Sequence, residues 1–181
     1  MSVNSNGLLP GARFVPSPNF DERPPGADID VLIVHCISLP PGEYGGTGII
    51  ELFSNRLDPN AHPYYREVAG LRVSAHLLIR RDGEVVQFVP FHKRAWHAGE
   101  SCCEGRMRVN DFSIGIELEG TDTAPFESAQ YAALAETTRI LMRQYPRITA
   151  KRIYGHADIA PWRKTDPGPF FEWRRLLEQL A

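Results

Sequence analysis

Cysteine is scarce in this chain: three residues in 181, at Cys36, Cys102 and Cys103. An odd count that includes a vicinal pair excludes a disulfide-stapled scaffold and suits a reducing cytoplasm. Surplus charge is missing as well. Twenty Lys and Arg stand against 22 Asp and Glu, a net charge of −2, which excludes the electrostatic footprint of a dedicated nucleic-acid binder. No apolar run approaches the roughly 20 residues that a membrane-spanning helix needs, and Val31–Val34 is strand-sized. Met1–Phe20 lacks the basic and apolar regions of a secretory signal, so neither membrane nor export is expected. Repeats and low-complexity tracts are absent. Disorder is excluded by an ordinary globular composition, 43% hydrophobic and 23% charged.

Glycine and proline, 15 of each, are what the chain has in plenty, and they predict a loop-rich molecule. A chain of this length buries roughly 70% of its unfolded surface and needs no staple to hold a core. Pro10, Pro16, Pro18, Pro24 and Pro25 mark residues 1–30 as an irregular arm lying on a single domain of residues 31–181. Asp30–His35 is a β-branched run suited to a strand buried on both faces. Residues 73–80 and 84–89, joined through Arg81-Asp82-Gly83, read as a β-hairpin. Residues 90–110 read as a long polar loop. Phe112–Glu119 alternates as a strand, with Glu117 and Glu119 on the face of Ser113 and opposite Ile114 and Ile116.

Helices are expected around Ile49–Phe53, from an N-cap at Ser128 to Tyr145 ahead of Pro146, and over Phe171–Leu180. A brief strand at Arg152–Tyr154 precedes His156. Strands alternating with helices, plus one hairpin, give the fold class: α/β (α+β), one domain, a central mixed sheet flanked by helices with long loops.

Six histidines invite a chemical reading, although a lone histidine is usually a hydrogen-bonded structural residue. His35 and His156 stand out because each ends a strand and enters a loop, where ligands gather in such sheets. Asp166 follows in the second of those loops. Two imidazoles and a carboxylate suit Zn²⁺ with its fourth position open, but histidine–carboxylate pairs are also common structural hydrogen bonds. On pattern alone both readings stand. His76 reads as a packed strand residue, His62 as a loop residue, and Asp158 as a brace of the 156–166 loop.

Five segments in order carry a resemblance: His35–Gly46, Asp58–Tyr64, Arg94–Gly99, Asn110–Gly120 and Gly155–Gly168. Together they resemble the cytosolic 1,6-anhydro-N-acetylmuramyl-L-alanine amidases (AmpD-type). Those enzymes share a fold family with phage-lysozyme-like amidases and peptidoglycan recognition proteins. The resemblance covers about residues 14–175. It implies that His35, His156 and Asp166 hold Zn²⁺, that Glu117 is the catalytic carboxylate and Lys164 the catalytic lysine, and that Arg72 and Arg108 line a substrate groove. The implied substrate is an anhydro-muropeptide, cut between the lactyl group of the muramic acid and L-alanine during cell-wall recycling. No obligate protein partner is evident.

Trp96 and His97 could contact sugar or peptide, or anchor their loop. Cationic residues of nearby segments, Arg72, Lys93, Arg94, Arg106, Arg108, Arg163 and Lys164, would attract stem-peptide carboxylates. The residue after the first ligand is commonly Asn in these relatives and here is Cys36, a departure that bears on fine specificity. A broader peptidoglycan-lytic amidase, a non-catalytic recognition module and a purely structural zinc site remain as alternatives.

Overall fold

The computed structural model describes residues 2–181. Its strands are β1 (Arg13–Phe14), β2 (Phe20–Asp21), β3 (Val31–Ile37), β4 (Leu77–Ile79), β5 (Val85–Gln87), β6 (Arg94–Ala95), β7 (Cys102–Cys103), β8 (Arg106–Met107), β9 (Ser113–Glu119) and β10 (Ile153–Gly155). The helices are α1 (Gly48–Phe53), α2 (Tyr65–Val68), α3 (Ser128–Gln144), α4 (His156–Ile159) and α5 (Trp173–Leu180). No helix among the described residues is long and apolar enough to cross a membrane.

Six strands form one mixed sheet in the order β1-β5-β4-β9-β3-β10. Only β4 and β5 run antiparallel within it, as the hairpin through Asp82-Gly83 requires, with Gly83 at a φ of +90°. The other pairs are parallel. The sheet is buried on both faces, which is why β3 and the odd and even positions of β9 alike carry no solvent-exposed side chain.

Leu32, Val34, Ile114, Ile116 and Leu118 point to one face, where α3 and α5 cover them with Tyr131, Leu134, Leu141 and Leu176. Opposite them, Leu78, Val86 and Phe88 pack on Ile49 and Phe53 of α1, and Val31 and Ile33 on Ala98, Val109 and Ile159. This second face also carries the odd-numbered side chains His35 and Glu117.

Two local expectations shift. Ser128 is the first helical residue of α3 and Glu127 the cap, its backbone N–H donating to Gln130 Oε1 at 3.0 Å. The Ser128 hydroxyl accepts instead from Arg175 at 2.7 Å. Where an irregular arm and a featureless 90–110 loop are expected, short strands occur: β1 extends the sheet edge, β2 pairs β6, and β7 pairs β8. Pairs of two residues have no periodicity to read.

Buried Gln87 ties the arm down, accepting from Leu9 N–H at 2.7 Å and donating to Gly7 and Val89 carbonyls at 3.0 Å. Gln87→Leu strands the Leu9 N–H and the Val89 carbonyl without partners, while the Gly7 carbonyl keeps the Phe91 N–H at 3.0 Å. The expected loss is about 1–3 kcal/mol for each group left unsatisfied. Denaturant midpoints measure it, and limited proteolysis should show earlier cleavage within residues 2–12.

Candidate active site

Parallel register builds the site. His35 lies opposite Glu117 across β3 and β9, and Gly155 lies opposite Val34 across β10 and β3, so His156 emerges beside His35. Three carboxyl-terminal strand ends therefore present Glu117, His35 and His156 in a row on one face, where ligands bind in open parallel sheets. The loop after α4 returns to this row: Ala157 N–H donates to the Asp166 carbonyl at 2.9 Å, and Asp158 braces the turn by accepting from Gly155 N–H at 2.7 Å.

His35 Nδ1 and His156 Nδ1 are 3.0 Å apart, and Asp166 Oδ2 lies 3.1 Å from the first and 3.2 Å from the second. Ligand atoms of a tetrahedral zinc with bonds of about 2.0–2.1 Å sit about 3.3 Å apart, so this triangle is close to one face of such a tetrahedron. His156 Nε2 faces the carbonyl of Ala98 at 3.2 Å. That oxygen only accepts, so a ring that gave Nδ1 to a metal would carry its proton on Nε2, toward Ala98. Burial holds the His35 imidazole down at about pKa 4, neutral as a metal ligand must be. Burial works against ionisation of Asp166, yet hydrogen bonds from His156 and His35 prevail and hold its carboxyl far below the usual range. The three residues form a group that could hold a metal ion, and the donor set fits zinc.

Glu117 is 9% exposed, and its Oε2 is buried without a hydrogen-bond partner. Burial first, then the nearby Asp166 charge, push its carboxyl well above the ordinary range, against the pull of Lys164. A cavity of about 260 Å³ is lined by His35, Glu117, His156, Lys164 and Asp166 together with Trp96. A second, of about 220 Å³, continues it past Arg72, Trp96, His97, Arg163 and Lys164.

The structure thus brings together His35, His156, Asp166, Glu117, Lys164, Trp96 and His97, with Arg72 on the outer cavity. Arg108 is apart from both linings; its exposed guanidinium pairs with Asp111 at 3.2 Å. Desolvation first, then the neighbouring imidazoles, hold the His97 ring well below its ordinary pKa. His76 packs beneath, fully enclosed. Cys36 borders the cavity outside the donor triangle, and burial followed by the Glu117 and Asp166 charges raises its thiol pKa. Asn110 and Ala98, which the sequence does not single out, turn out to support the site. Their contribution runs through one amide oxygen and one backbone carbonyl, groups that no residue pattern marks.

A mixed sheet that converges two imidazoles, an aspartate and an unpartnered glutamate at its strand ends has the layout of a hydrolase site with a group that could hold a metal ion. The family described as N-acetylmuramoyl-L-alanine amidase matches residues 25–169, and the chain belongs to it. It is 63% identical over 170 residues to the 1,6-anhydro-N-acetylmuramyl-L-alanine amidase AmpD of Escherichia coli (strain K12), covering 94% of this chain and 92% of that one. Identity to the AmpD of Haemophilus influenzae (strain ATCC 51907 / DSM 11121 / KW20 / Rd) is 51% over 174 residues, covering 96% and 95%. A crystal structure of an AmpD derivative superposes with a TM-score of 0.96 at 57% identity, covering 100% of both chains. The amidase AmiD from E. coli, in complex with the substrate anhydro-N-acetylmuramic acid-L-Ala-D-gamma-Glu-L-Lys, matches with a TM-score of 0.62 at 32% identity, over 87% of this chain and 60% of that one.

Proposed function

We propose that this chain is a zinc-dependent amidase that cleaves the bond between the lactyl group of 1,6-anhydro-N-acetylmuramic acid and L-alanine in muropeptides, as part of cell-wall recycling. The observation that carries this reading is the donor triangle of His35, His156 and Asp166 beside the unpartnered carboxyl oxygen of Glu117 in one cavity. The AmpD relatives and the AmiD substrate complex support the choice of bond and sugar.

Bound there, Zn²⁺ supplies Lewis acidity and makes water a competent nucleophile near neutral pH. The protein does the rest. Glu117 takes a proton from the attacking water at Oε2 and delivers it to the departing alanine nitrogen, which leaves as a neutral amine. Lys164 presents its ammonium to the oxyanion that develops on the lactyl carbonyl. Trp96 and Arg72 line the route that the stem peptide would follow, and Arg72 with Lys164 gives that route a positive charge suited to stem carboxylates. Arg108, outside both cavities, would reach substrate only from the rim.

Lys164→Ala should lower kcat by about 10²–10³ with zinc content unchanged. Wild-type turnover in that variant would remove the lysine from the mechanism. The reading as a whole is tested by mass spectrometry of the products from anhydro-muramyl-tripeptide: free tripeptide should appear with zinc and not after chelation. A saturated, four-ligand structural site does not fit, because the cluster comprises three protein ligands. The proposed place of work is the cytoplasm, where the free thiols of Cys36, Cys102 and Cys103 suit the reducing conditions.

A further inference from the structure

The two imidazoles of the donor triangle lean on two consecutive residues, one on each. His35 Nε2 is 2.9 Å from His97 Nδ1, and His156 Nε2 is 3.2 Å from the carbonyl oxygen of Ala98. The pair is itself clamped from behind. The backbone N–H groups of His97 and Ala98 both donate to Asn110 Oδ1, at 3.2 and 2.8 Å. We propose that His97-Ala98, held by Asn110, is a positioning platform that orients both zinc-binding imidazoles at once.

The surroundings are shaped for this arrangement. The His97 ring lies against Gly115 of β9, where a Cβ would come within 2.4 Å of its Cγ. Any side chain at Gly115 would therefore displace the ring. The other ring nitrogen, Nε2, is 3.2 Å from the Ser113 hydroxyl, so both polar atoms of His97 are engaged within the protein. A ring with neither nitrogen free is suited to holding its neighbour, although it borders the cavity. Arg163, from the loop between His156 and Asp166, closes the other side by donating to the Ala98 and Glu100 carbonyls. Gly99, at a φ of +55°, leaves room for that guanidinium, whose Nη2 would be 2.8 Å from a Cβ there. The platform thus touches β9, His35 on β3, His156 just after β10 and the loop that brings in Asp166.

Ligand orientation of this kind contributes about 10–100-fold to metal affinity. The inference rests on the reading that His35, His156 and Asp166 hold zinc, and the experiment separates the two. Zinc affinity of the metal-free full-length protein is measured by competition with a chromogenic chelator, alongside the visible absorption of the Co²⁺-loaded form. His97→Leu should bind zinc about 10–100-fold more weakly than wild type and shift the Co²⁺ bands. His97→Asn, whose Oδ1 restores an acceptor near the position of Nδ1, should recover affinity to within about threefold of wild type. Asn110→Leu removes the acceptor that holds the backbone of the pair, and should weaken zinc by at least about tenfold.

Wild-type affinity in folded His97→Leu overturns the proposal, as does equal weakening in His97→Asn, which would make ring bulk the cause. Should His97→Leu not fold, wild-type affinity in Asn110→Leu overturns it. Failure of the underlying reading looks different: wild-type protein takes up no zinc, or His35→Ala takes up as much as wild type. In that case the platform falls with the ligand set.

Discussion

Glu117→Gln should reduce turnover by about 10²–10⁴-fold while zinc stays bound and KM changes little. Glutamine keeps the shape of the side chain and loses the ability to accept and return a proton, so the loss belongs to the proton transfer alone. The same substitution should make the metal-free protein more stable at neutral pH. Glu117 is buried with its carboxyl pKa raised and its Oε2 unpartnered. A carboxyl whose folded pKa lies above its unfolded value gives stability that is present below the unfolded pKa, about 4.3, and is lost as pH rises through the folded one. Glutamine carries no such loss. Melting temperatures of the two metal-free proteins should therefore converge near pH 4 and separate toward pH 7, with the variant higher. Equal turnover in the purified variant would take Glu117 out of the reaction, and parallel melting curves would contradict its buried, destabilised state.

Asp166→Ala should abolish hydrolysis to background and lower zinc affinity by more than the roughly 10–100-fold expected for an outer hydrogen bond. It removes the only anionic donor of the triangle and leaves two imidazole nitrogens 3.0 Å apart. A ligand that binds only the folded state raises stability by about 2.7 kcal/mol at a hundred times its Kd. Zinc should accordingly raise the Tm of wild type, and the same zinc concentration should leave the Tm of Asp166→Ala unmoved. Retained zinc-dependent stabilisation in the variant would show that the metal sits elsewhere. Wild-type protein stripped by a chelator should match the variant in activity and regain turnover when zinc is restored.

The two predictions test different parts of one cavity. Glu117 stands on a rigid strand, paired on both sides by β3 and β4. Asp166 stands on a loop and is held by the contacts of its own backbone and carboxylate. A strand carboxylate at a fixed height above the sheet suits repeated proton transfer. The loop ligand relies on Arg163 and on the 156–166 backbone for its position, which is why the support around Ala98 bears on metal affinity.

Much of this was legible in the chain itself because it depends on neighbours in sequence. The β-branched run of β3, the Asp82-Gly83 turn, the alternation of β9 and the apolar stripe of α3 each follow from a few consecutive residues. The alternation placed Glu117 on the face opposite Ile114 and Ile116, as found. The choice of His35 and His156 among six histidines came from their places at strand ends, and the roles of Glu117 and Lys164 from resemblance. Glu119 illustrates why parity alone could not decide: it shares the alternation of Glu117, yet its carboxylate accepts from Gly45 N–H at 2.7 Å and holds the 38–47 loop.

Residue order by itself determined strands β3 and β9, the β4–β5 hairpin, the main helices, the face on which Glu117 lies and the resemblance to the family. Only the folded chain decided that His35 and His156, separated by 121 positions, meet at 3.0 Å, and that the 97–98 pair supports both. The division has a physical cause. Periodicity and turn chemistry act over one or two helical or strand repeats, whereas convergence at a site depends on the register of parallel strands. That register is set by packing of both sheet faces at once, a sum over distant residues that no local pattern contains.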